Sequence, residues 1–387
     1  MAPVYLQPLR WASIASVQVY YHLAYRIRGW GSLPRGGGPK LLIANHQHEI
    51  ESGVLISDMT IRTRAWRWPI FTVSSRRMWE PGFFAVRIAW MSPLLRGLNF
   101  GWLFSAIGMQ PIENELHVRP FVSIAYTIHQ LHPNAPIDQV FAESARDRLP
   151  AGVRTVADLL GAKHFAAGRS RVKLTEVLEP YRREILDVTR AQIESDLTHF
   201  ETLQRGGASI FLTPEGHYSG DGKMQRLRGA LTRLAPLAEV WLTGISYDPF
   251  VGRRLSMLYR IAKAMPDVPL DLQLKAVRPV TVSALLGHWL HPRGLSPFIE
   301  TEAQLAVERA LLALPRTAFV DPELEQKPRM MVAHALDGLV RLGVARREGE
   351  TLRLTDHRMH PQFPRTSDII EYMYNFHIET LEGATAS

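Results

Sequence analysis

An apolar run that stops abruptly at two polar residues, Asn45 and His46, constrains the fold of this chain more than any other stretch. Residues 41–44 (LLIA) follow the breakers at 36–39 (GGGP). A short continuous apolar run bounded in this way is typical of a buried strand. A helix is predicted to begin near Glu49. The polar residues then lie where a strand gives way to a helix, which is where α/β sheets bind their ligands.

The spacing of His46 and Glu51 predicts contact between their side chains. Four residues separate them, so the carboxylate and the imidazole lie within reach along one helical turn. A carboxylate on one ring nitrogen fixes the tautomer and leaves the other nitrogen free to take a proton. The pair therefore indicates a general base that activates a hydroxyl. A His-x4-Glu pair also arises by chance, so its position after a strand and a second motif are needed to support this interpretation.

The second motif lies far downstream and has the same strand-then-polar pattern. Residues 209–212 (SIFL) read as an apolar strand, and residues 213–222 form an irregular loop rich in proline and glycine. Glu215 is placed at the strand exit, while Arg226 and Arg228 approach the following helix. The sequence thus predicts two strand ends that carry polar side chains and share one pocket, with His46 and Glu215 in the same region.

These two motifs resemble the conserved blocks of the glycerophospholipid acyltransferase family, of the lysophosphatidate and glycerol-3-phosphate acyltransferase type. Asn45, His46 and Glu51 stand at the positions of an N-H-x4-D block, with Glu in place of Asp. Residues 212–218 (LTPEGHY) are similar to an F-P-E-G-T-R block. Its Pro, Glu and Gly are matched by Pro214, Glu215 and Gly216, while His217 and Tyr218 replace Thr and Arg.

The departures from the family pattern concern the acceptor. An intermediate block, G-x-x-x-I-x-R, is only partly matched by residues 108–114, where Asn114 stands at the position of the arginine. In the family, this arginine and the one replaced here by Tyr218 hold the acceptor phosphate. The resemblance therefore implies an incomplete phosphate clamp, for which nearby cationic side chains are candidate substitutes: Arg76, Arg77 and Arg119.

The resemblance implies an activity and a role for each matched residue. His46 would take the proton of an acceptor hydroxyl, and Glu51 would orient and stabilise the imidazolium. The hydroxyl would attack an acyl thioester of coenzyme A or acyl carrier protein, with no further cofactor and no metal. The residues that the resemblance implies to bind substrate are Asn45, Glu215, Gly216, Arg226 and Arg228. The acceptor would be a lysophospholipid, glycerol phosphate or related polar lipid, which places the protein in phospholipid biosynthesis.

Composition narrows the class of protein. The 387 residues are 46% hydrophobic and 21% charged, which describes an ordered chain long enough for two or three domains. The chain has no cysteine, which excludes disulfide scaffolds and thiolate metal sites and agrees with a mechanism without a cysteine nucleophile. A net charge of +8 favours anionic partners such as membrane lipid, acyl carrier protein or nucleic acid.

Two segments suggest contact with a membrane. Residues 11–25 contain no Asp, Glu, Lys or Arg, are rich in aromatics and are flanked by arginines. This run is shorter than the roughly 20 residues of a spanning helix, so an interfacial helix is predicted within residues 1–30. Residues 83–112 are also poor in charge and rich in aromatics, and suggest either a core helix or a surface that dips into the bilayer. We therefore expect peripheral attachment at the cytoplasmic face of the membrane.

The predicted fold class is α/β, with a mixed sheet flanked by helices. The acyltransferase domain spans residues 31–299 and contains a helical insertion at about 115–198. Residues 300–387 form a small accessory domain, in which one helix opens with capping-box spacing at 301–304 (TEAQ), a second helix spans 332–342 and a hairpin turns at 348–349. Helix plus hairpin is a winged-helix-like pattern, but its arginines are few, so we favour a packing role and expect no nucleic-acid partner.

Two other functions are left open by the residues. His46, His48 and Glu51 form a ligand set for a metal-dependent hydrolase, to which His217 and Asp221 could be recruited. A non-catalytic lipid-binding or nucleic-acid-binding protein is the third interpretation, because Glu51 and Asn114 depart from the family pattern.

Overall fold

The structure is a computed structural model that describes residues 7–33, 38–48, 51–63, 70–83, 92–113, 117–216, 218–227 and 229–386. The strands in these ranges are β1 (Tyr25–Trp30), β2 (Lys40–Ala44), β3 (Ile70–Ser75), β4 (Met109–Ile112), β5 (Val118–Pro120), β6 (Arg171–Lys173), β7 (Ser209–Leu212), β8 (Glu239–Asp248), β9 (Leu255–Lys263), β10 (Phe298–Ile299), β11 (Ala345–Glu348) and β12 (Thr351–Leu354).

The helices in the same ranges are α1 (Gln7–Ala24), α2 (Glu51–Thr63), α3 (Ser92–Leu95), α4 (Gly101–Ala106), α5 (Phe121–Leu131), α6 (Ile137–Val140), α7 (Glu143–Arg146), α8 (Val156–Leu160), α9 (Tyr181–Arg205), α10 (Ala230–Leu234), α11 (Leu270–Ala276), α12 (Val282–Leu290), α13 (Glu300–Ala313), α14 (Pro322–Gln326), α15 (Pro328–Arg341) and α16 (Ile369–Ala386).

The chain folds into two compact units. The smaller unit comprises residues 1–10 and 71–202, and the larger comprises residues 11–70 and 203–387. This division differs from the predicted one, because residues 300–387 belong to the same unit as the strands that carry the two sequence motifs.

The larger unit is built on a mixed, mostly parallel sheet. Its strands lie in the order β1-β9-β8-β2-β7, and of these neighbouring pairs only β8 with β9 is antiparallel. Every residue of β2 is buried, which explains why this strand is a continuous apolar run rather than an alternating one. Full burial of each leucine or isoleucine side chain there contributes about 1.5–3 kcal/mol. The predicted α/β class with a mixed sheet flanked by helices is confirmed.

The C-terminal residues share the core of the larger unit. Val332, Leu336 and Phe376 are buried in the same apolar cluster as Phe211 and Tyr259 of the sheet. The predicted helix and hairpin are present as α15 and β11–β12, and β10 adds a third strand beside β12. The predicted capping box was wrong, because α13 begins at Glu300 and has no side-chain cap at its N-terminus.

The smaller unit has a core of its own. Helices α5, α6, α7 and α8 and the start of α9 bury a second apolar cluster that includes Phe121, Phe141 and Ile185. β5 pairs with β6 in antiparallel fashion, and β3 pairs with β4 in parallel. The predicted insertion at about 115–198 therefore lies within a compact body, and it contains a two-stranded ribbon as well as helices.

Helix α1 rests on α2 in the larger unit. The Gln18 side chain donates to Asp58 Oδ1 over 3.0 Å and accepts from Ser57 Oγ over 2.9 Å. Tyr21 covers Gly53, where an added Cβ would lie 3.0 Å from the tyrosine hydroxyl. Among the described residues, no helix combines the length and apolarity needed to cross a bilayer.

Candidate active site

The two sequence motifs meet because their strands are neighbours in register. β2 and β7 are parallel, and Ile43 is paired with Leu212. His46 and Glu215 each lie three residues beyond this pair, at the carboxyl edge of the sheet. The backbone N–H of His46 accordingly donates to Glu215 Oε1 over 2.6 Å. The predicted convergence of the two strand ends is present in the structure.

His46 and Glu51 form the predicted pair. His46 Nδ1 lies 2.7 Å from Glu51 Oε2, and the imidazole is 15% exposed while the carboxylate is fully buried. A carboxylate acts only as an acceptor, so Nδ1 carries the proton in this pair and Nε2 is left with its lone pair. Within the described part of the chain, no hydrogen bond engages Nε2. The ring therefore keeps a basic nitrogen available on a side chain that is partly exposed.

Glu51 is held by the turn that leads into α2. Its Oε1 accepts from the backbone N–H groups of Gln47 and His48, each over 2.9 Å. A buried carboxylate is tolerated only when such donors satisfy it. Helix α2 is described from Glu51 onward, and the predicted start near Glu49 lies outside the described residues. The acid is therefore a fixed support for the imidazole.

Asn45, which was predicted to contact substrate, has both polar side-chain atoms hydrogen-bonded to the backbone of β8. Its Oδ1 accepts from the Ile245 backbone N–H over 2.6 Å, and its Nδ2 donates to the Ile245 carbonyl over 3.0 Å. The side chain is fully buried. Both polar ends of the amide are thus used to join the end of β2 to β8, which fixes the point where the chain leaves the sheet for His46.

The Pro-Glu-Gly sequence forms a tight turn after β7. The Gly216 N–H donates to the Thr213 carbonyl over 3.0 Å, with Pro214 at the second position, where its fixed φ suits the turn. Gly216 has φ +78°, a left-handed conformation that favours glycine. This turn directs Glu215 back towards β2, where its Oε2 also accepts from the Gln225 N–H over 2.6 Å.

Glu215 is a buried acid that bridges the two motifs. Burial raises its pKa to about 7, opposed by the hydrogen bond from Gln225, by the charge of Arg278 and by the hydrogen bond from His46. Arg278 is itself 1% exposed and donates to Glu379 Oε2 over 3.2 Å. The carboxyl group is placed to hold the backbone N–H groups of His46 and Gln225.

Glu215 makes stability depend on pH. Its pKa rises from 4.5 to about 7 on folding, so the folded state binds the extra proton between these values. The resulting stabilisation is complete below about pH 4.5 and is lost as the pH rises through about 7. Between pH 4 and pH 8, the free energy of unfolding of the unmodified protein should therefore fall by about 3 kcal/mol more than that of Glu215→Gln, which lacks this carboxyl group. Urea denaturation across this range measures it. Glu325→Gln, at an exposed site, is the control, and a pH-independent difference would contradict the prediction.

Two buried tyrosines, Tyr247 and Tyr372, lie within the electrostatic influence of Glu51. Burial and then the charge of Glu51 raise the pKa of Tyr247 well above its usual value. The same two causes, in the same order, raise the pKa of Tyr372. Both hydroxyls stay neutral at pH 7, so neither adds a second negative charge near Glu51.

Residues of a C-terminal segment, Gln362 and Phe363, also contact the site, and the spacing of the sequence motifs did not predict them. His48 Nε2 lies 2.8 Å from the Gln362 carbonyl oxygen, across 314 positions of sequence. The His48 ring also contacts Phe363, with centroids 5.9 Å apart, and lies parallel to the Tyr218 ring. A carbonyl only accepts, so the His48 Nε2 donates and has no lone pair for a metal.

The other residues that were predicted to bind substrate or phosphate have different surroundings. Arg226 is exposed, and Gly216 contributes the turn described above. Arg228, Asn114 and His217 lie outside the described residues. In the smaller unit, Arg76 is paired with Asp196, and Arg119 Nη2 lies 3.2 Å from Glu113 Oε2. These two arginines are therefore occupied by carboxylates of their own unit.

The described residues hold no group of three or more histidine, aspartate and glutamate side chains with a geometry suited to a metal ion.

No family model matches the sequence, and no curated protein matches it significantly.

Proposed function

We propose that this protein is an acyltransferase that moves a fatty acyl group from a thioester to a hydroxyl of a lysophospholipid, glycerol phosphate or related polar lipid. The observation that carries the proposal is the His46–Glu51 pair, 2.7 Å apart, with the His46 backbone bonded to Glu215 of the Pro-Glu-Gly turn. The resemblance of both blocks to those of glycerophospholipid acyltransferases supports the same activity. We assign the larger unit to that family's fold on the same grounds.

In the proposed reaction, Nε2 of His46 is the base. The acceptor hydroxyl gives its proton to Nε2 as its oxygen attacks the thioester carbonyl carbon, and the Nδ1–H bond to Glu51 stabilises the imidazolium that forms. The tetrahedral intermediate collapses with cleavage of the C–S bond. The thiolate of coenzyme A or acyl carrier protein leaves and takes the proton from Nε2. The products are an ester and a thiol, and the enzyme returns to its starting state.

The activity is tested with a panel of acceptors. Purified protein is incubated with isotope-labelled acyl-CoA or acyl carrier protein and with glycerol 3-phosphate, lysophosphatidate, other lysophospholipids or monoacylglycerol. Mass spectrometry should find a labelled ester with at least one acceptor, and none when the acceptor is left out. Chelator should leave the rate unchanged. Absence of labelled ester with every acceptor and both donors would refute the proposal, and loss of activity with chelator would favour the metal-dependent hydrolase.

We also propose that α1 attaches the protein to the cytoplasmic face of a membrane. Its outer side exposes Val19, Tyr20 and Leu23 to 61%, 63% and 72%, while Gln18 and Tyr21 hold its inner side on α2. The smaller unit exposes Leu94 and Trp102 to 75% and 63%. Exposed apolar and aromatic side chains of this kind suit the lipid headgroup region.

The attachment predicts a specific loss on substitution. Val19→Asp combined with Leu23→Asp should lower partitioning onto anionic phospholipid vesicles by roughly 100-fold, because two apolar side chains no longer enter the interface. Vesicle flotation without detergent measures the bound fraction. Leu312→Asp is the matched control, since Leu312 is 88% exposed on α13 and should have no effect. If the unmodified protein fails to float, or the control behaves like the double variant, the attachment is wrong.

A further inference from the structure

A guanidinium group is stacked on Tyr218, the residue at which the sequence motif has lost its arginine. Tyr218 occupies the position of that arginine, and its ring meets the His46 ring edge-on, with centroids 5.5 Å apart. The Arg365 Cζ atom lies 3.9 Å from the centroid of the same Tyr218 ring. Tyr218 therefore has the imidazole on one side and a cation stacked against it.

The backbone holds Arg365 in this place. Arg365 Nη1 donates to the Tyr218 carbonyl over 3.2 Å. An added Cβ at Gly220 would lie 2.5 Å from the Arg365 carbonyl oxygen, so only glycine allows the two segments to approach this closely. The segment is also tied at Gln362 by its contact with His48. These contacts fix the arginine to the Pro-Glu-Gly loop.

Arg365 differs from Arg28 and Arg278 in having no carboxylate partner among the described residues. Arg28 is paired with Asp321, and Arg278 with Glu379. Across the described residues, no acidic side chain forms an ion pair with Arg365, which is exposed. Most of its five N–H donors are free for a ligand, and their fork geometry fits a phosphate.

We propose that Arg365 binds the phosphate group of the acyl acceptor. This inference rests on the proposed function and deepens it, because it names a phosphate ester as the acceptor class and the C-terminal segment as the source of the missing cation. Stacking on Tyr218 would orient the guanidinium, and the phosphate would bring the neighbouring hydroxyl to Nε2 of His46. Arg365 is thus a substrate-binding residue and takes no part in proton transfer.

The test compares acceptors that differ in their phosphate. In Arg365→Gln, KM for lysophosphatidate and for glycerol 3-phosphate should rise about 10- to 100-fold, while KM for monoacylglycerol stays unchanged. Arg365→Lys keeps the charge but loses the fork, so its KM should lie between the two. The relative effect on lysophosphatidate and on glycerol 3-phosphate separates a lipid acceptor from a soluble one. Arg346→Gln, at an exposed site of β11, is the control for loss of one positive charge.

Several results would overturn the inference. An equal change for phosphate-bearing and neutral acceptors, no change in any KM, or transfer by the unmodified protein to neutral acceptors alone would each do so. If the unmodified protein acylates no acceptor, the proposed function itself fails, and calorimetry with inorganic phosphate then decides the anion site separately. Phosphate binding that is lost in Arg365→Gln and kept in Arg346→Gln supports the site, and any other pattern refutes it.

Discussion

Replacement of His46 by alanine is expected to lower the rate of acyl transfer by about 10²- to 10⁴-fold, the range in which general bases contribute. The reason is that Nε2 of His46 is the basic atom that the Glu51 pair leaves available at the joined ends of β2 and β7. The substitution also removes a largely buried ring, 15% exposed, that donates to the buried Glu51, so the thermal midpoint should fall and rates are compared well below it. Initial rates with labelled acyl-CoA and the best acceptor measure the loss.

His334→Ala is the matched control for this experiment. His334 is exposed on α15, and its substitution should leave the rate unchanged. KM for the thioester should also stay within a few-fold in His46→Ala, because the proton acceptor has been removed and not the donor site. Turnover that survives in His46→Ala would remove the basis of the proposed mechanism.

The parts of the candidate site that depend on short stretches of sequence could be predicted. The strand at 209–212 was predicted with the bounds that the structure has, and the strand at 41–44 to within one residue. Parallel strands that end in polar residues bring those residues together at one edge, so the approach of His46 to Glu215 followed from pattern alone. The His46–Glu51 contact followed from spacing along one turn.

What the sequence could not give depends on contacts between distant segments. Gln362, Phe363 and Arg365 reach the site because α16 and the chain before it pack against the loop at 219–222, where Gly220 and Gly222 admit their backbone. Glycine in that loop read only as irregular structure. The sequence pattern near residue 300 likewise does not reveal that Phe376 and Val332 are buried in the same apolar cluster as residues of the sheet.

Asn45 illustrates a different limit. Its side chain precedes His46 in a motif associated with substrate, and a polar side chain at a strand end can equally serve the ligand or the backbone. The structure uses both of its polar atoms on Ile245. A residue of this kind fixes the chain from which His46 projects.

Substitution of Glu51 by glutamine should produce the second largest loss of activity, about 10²- to 10⁴-fold in kcat. Glutamine has nearly the same shape but only one acceptor oxygen, while Glu51 accepts from two backbone N–H groups and from His46 Nδ1. One of these donors must then face an amide NH₂, so stability should also fall by about 1–3 kcal/mol. Assays well below the melting temperature separate the two effects, and exposed Glu325→Gln should show neither.

The tautomer of His46 distinguishes a positioning role of Glu51 from a merely structural one. Long-range ¹H–¹⁵N spectra should show the proton on Nδ1 in the unmodified protein and a population with the proton on Nε2 in Glu51→Gln, because the carboxylate no longer selects Nδ1–H. Glu51→Asp restores the charge on a side chain one methylene shorter, so it should recover part of the activity and the original tautomer. An Nδ1–H tautomer retained in Glu51→Gln, together with an unchanged kcat, would mean that burial of the acid serves the turn before α2 and not the imidazole.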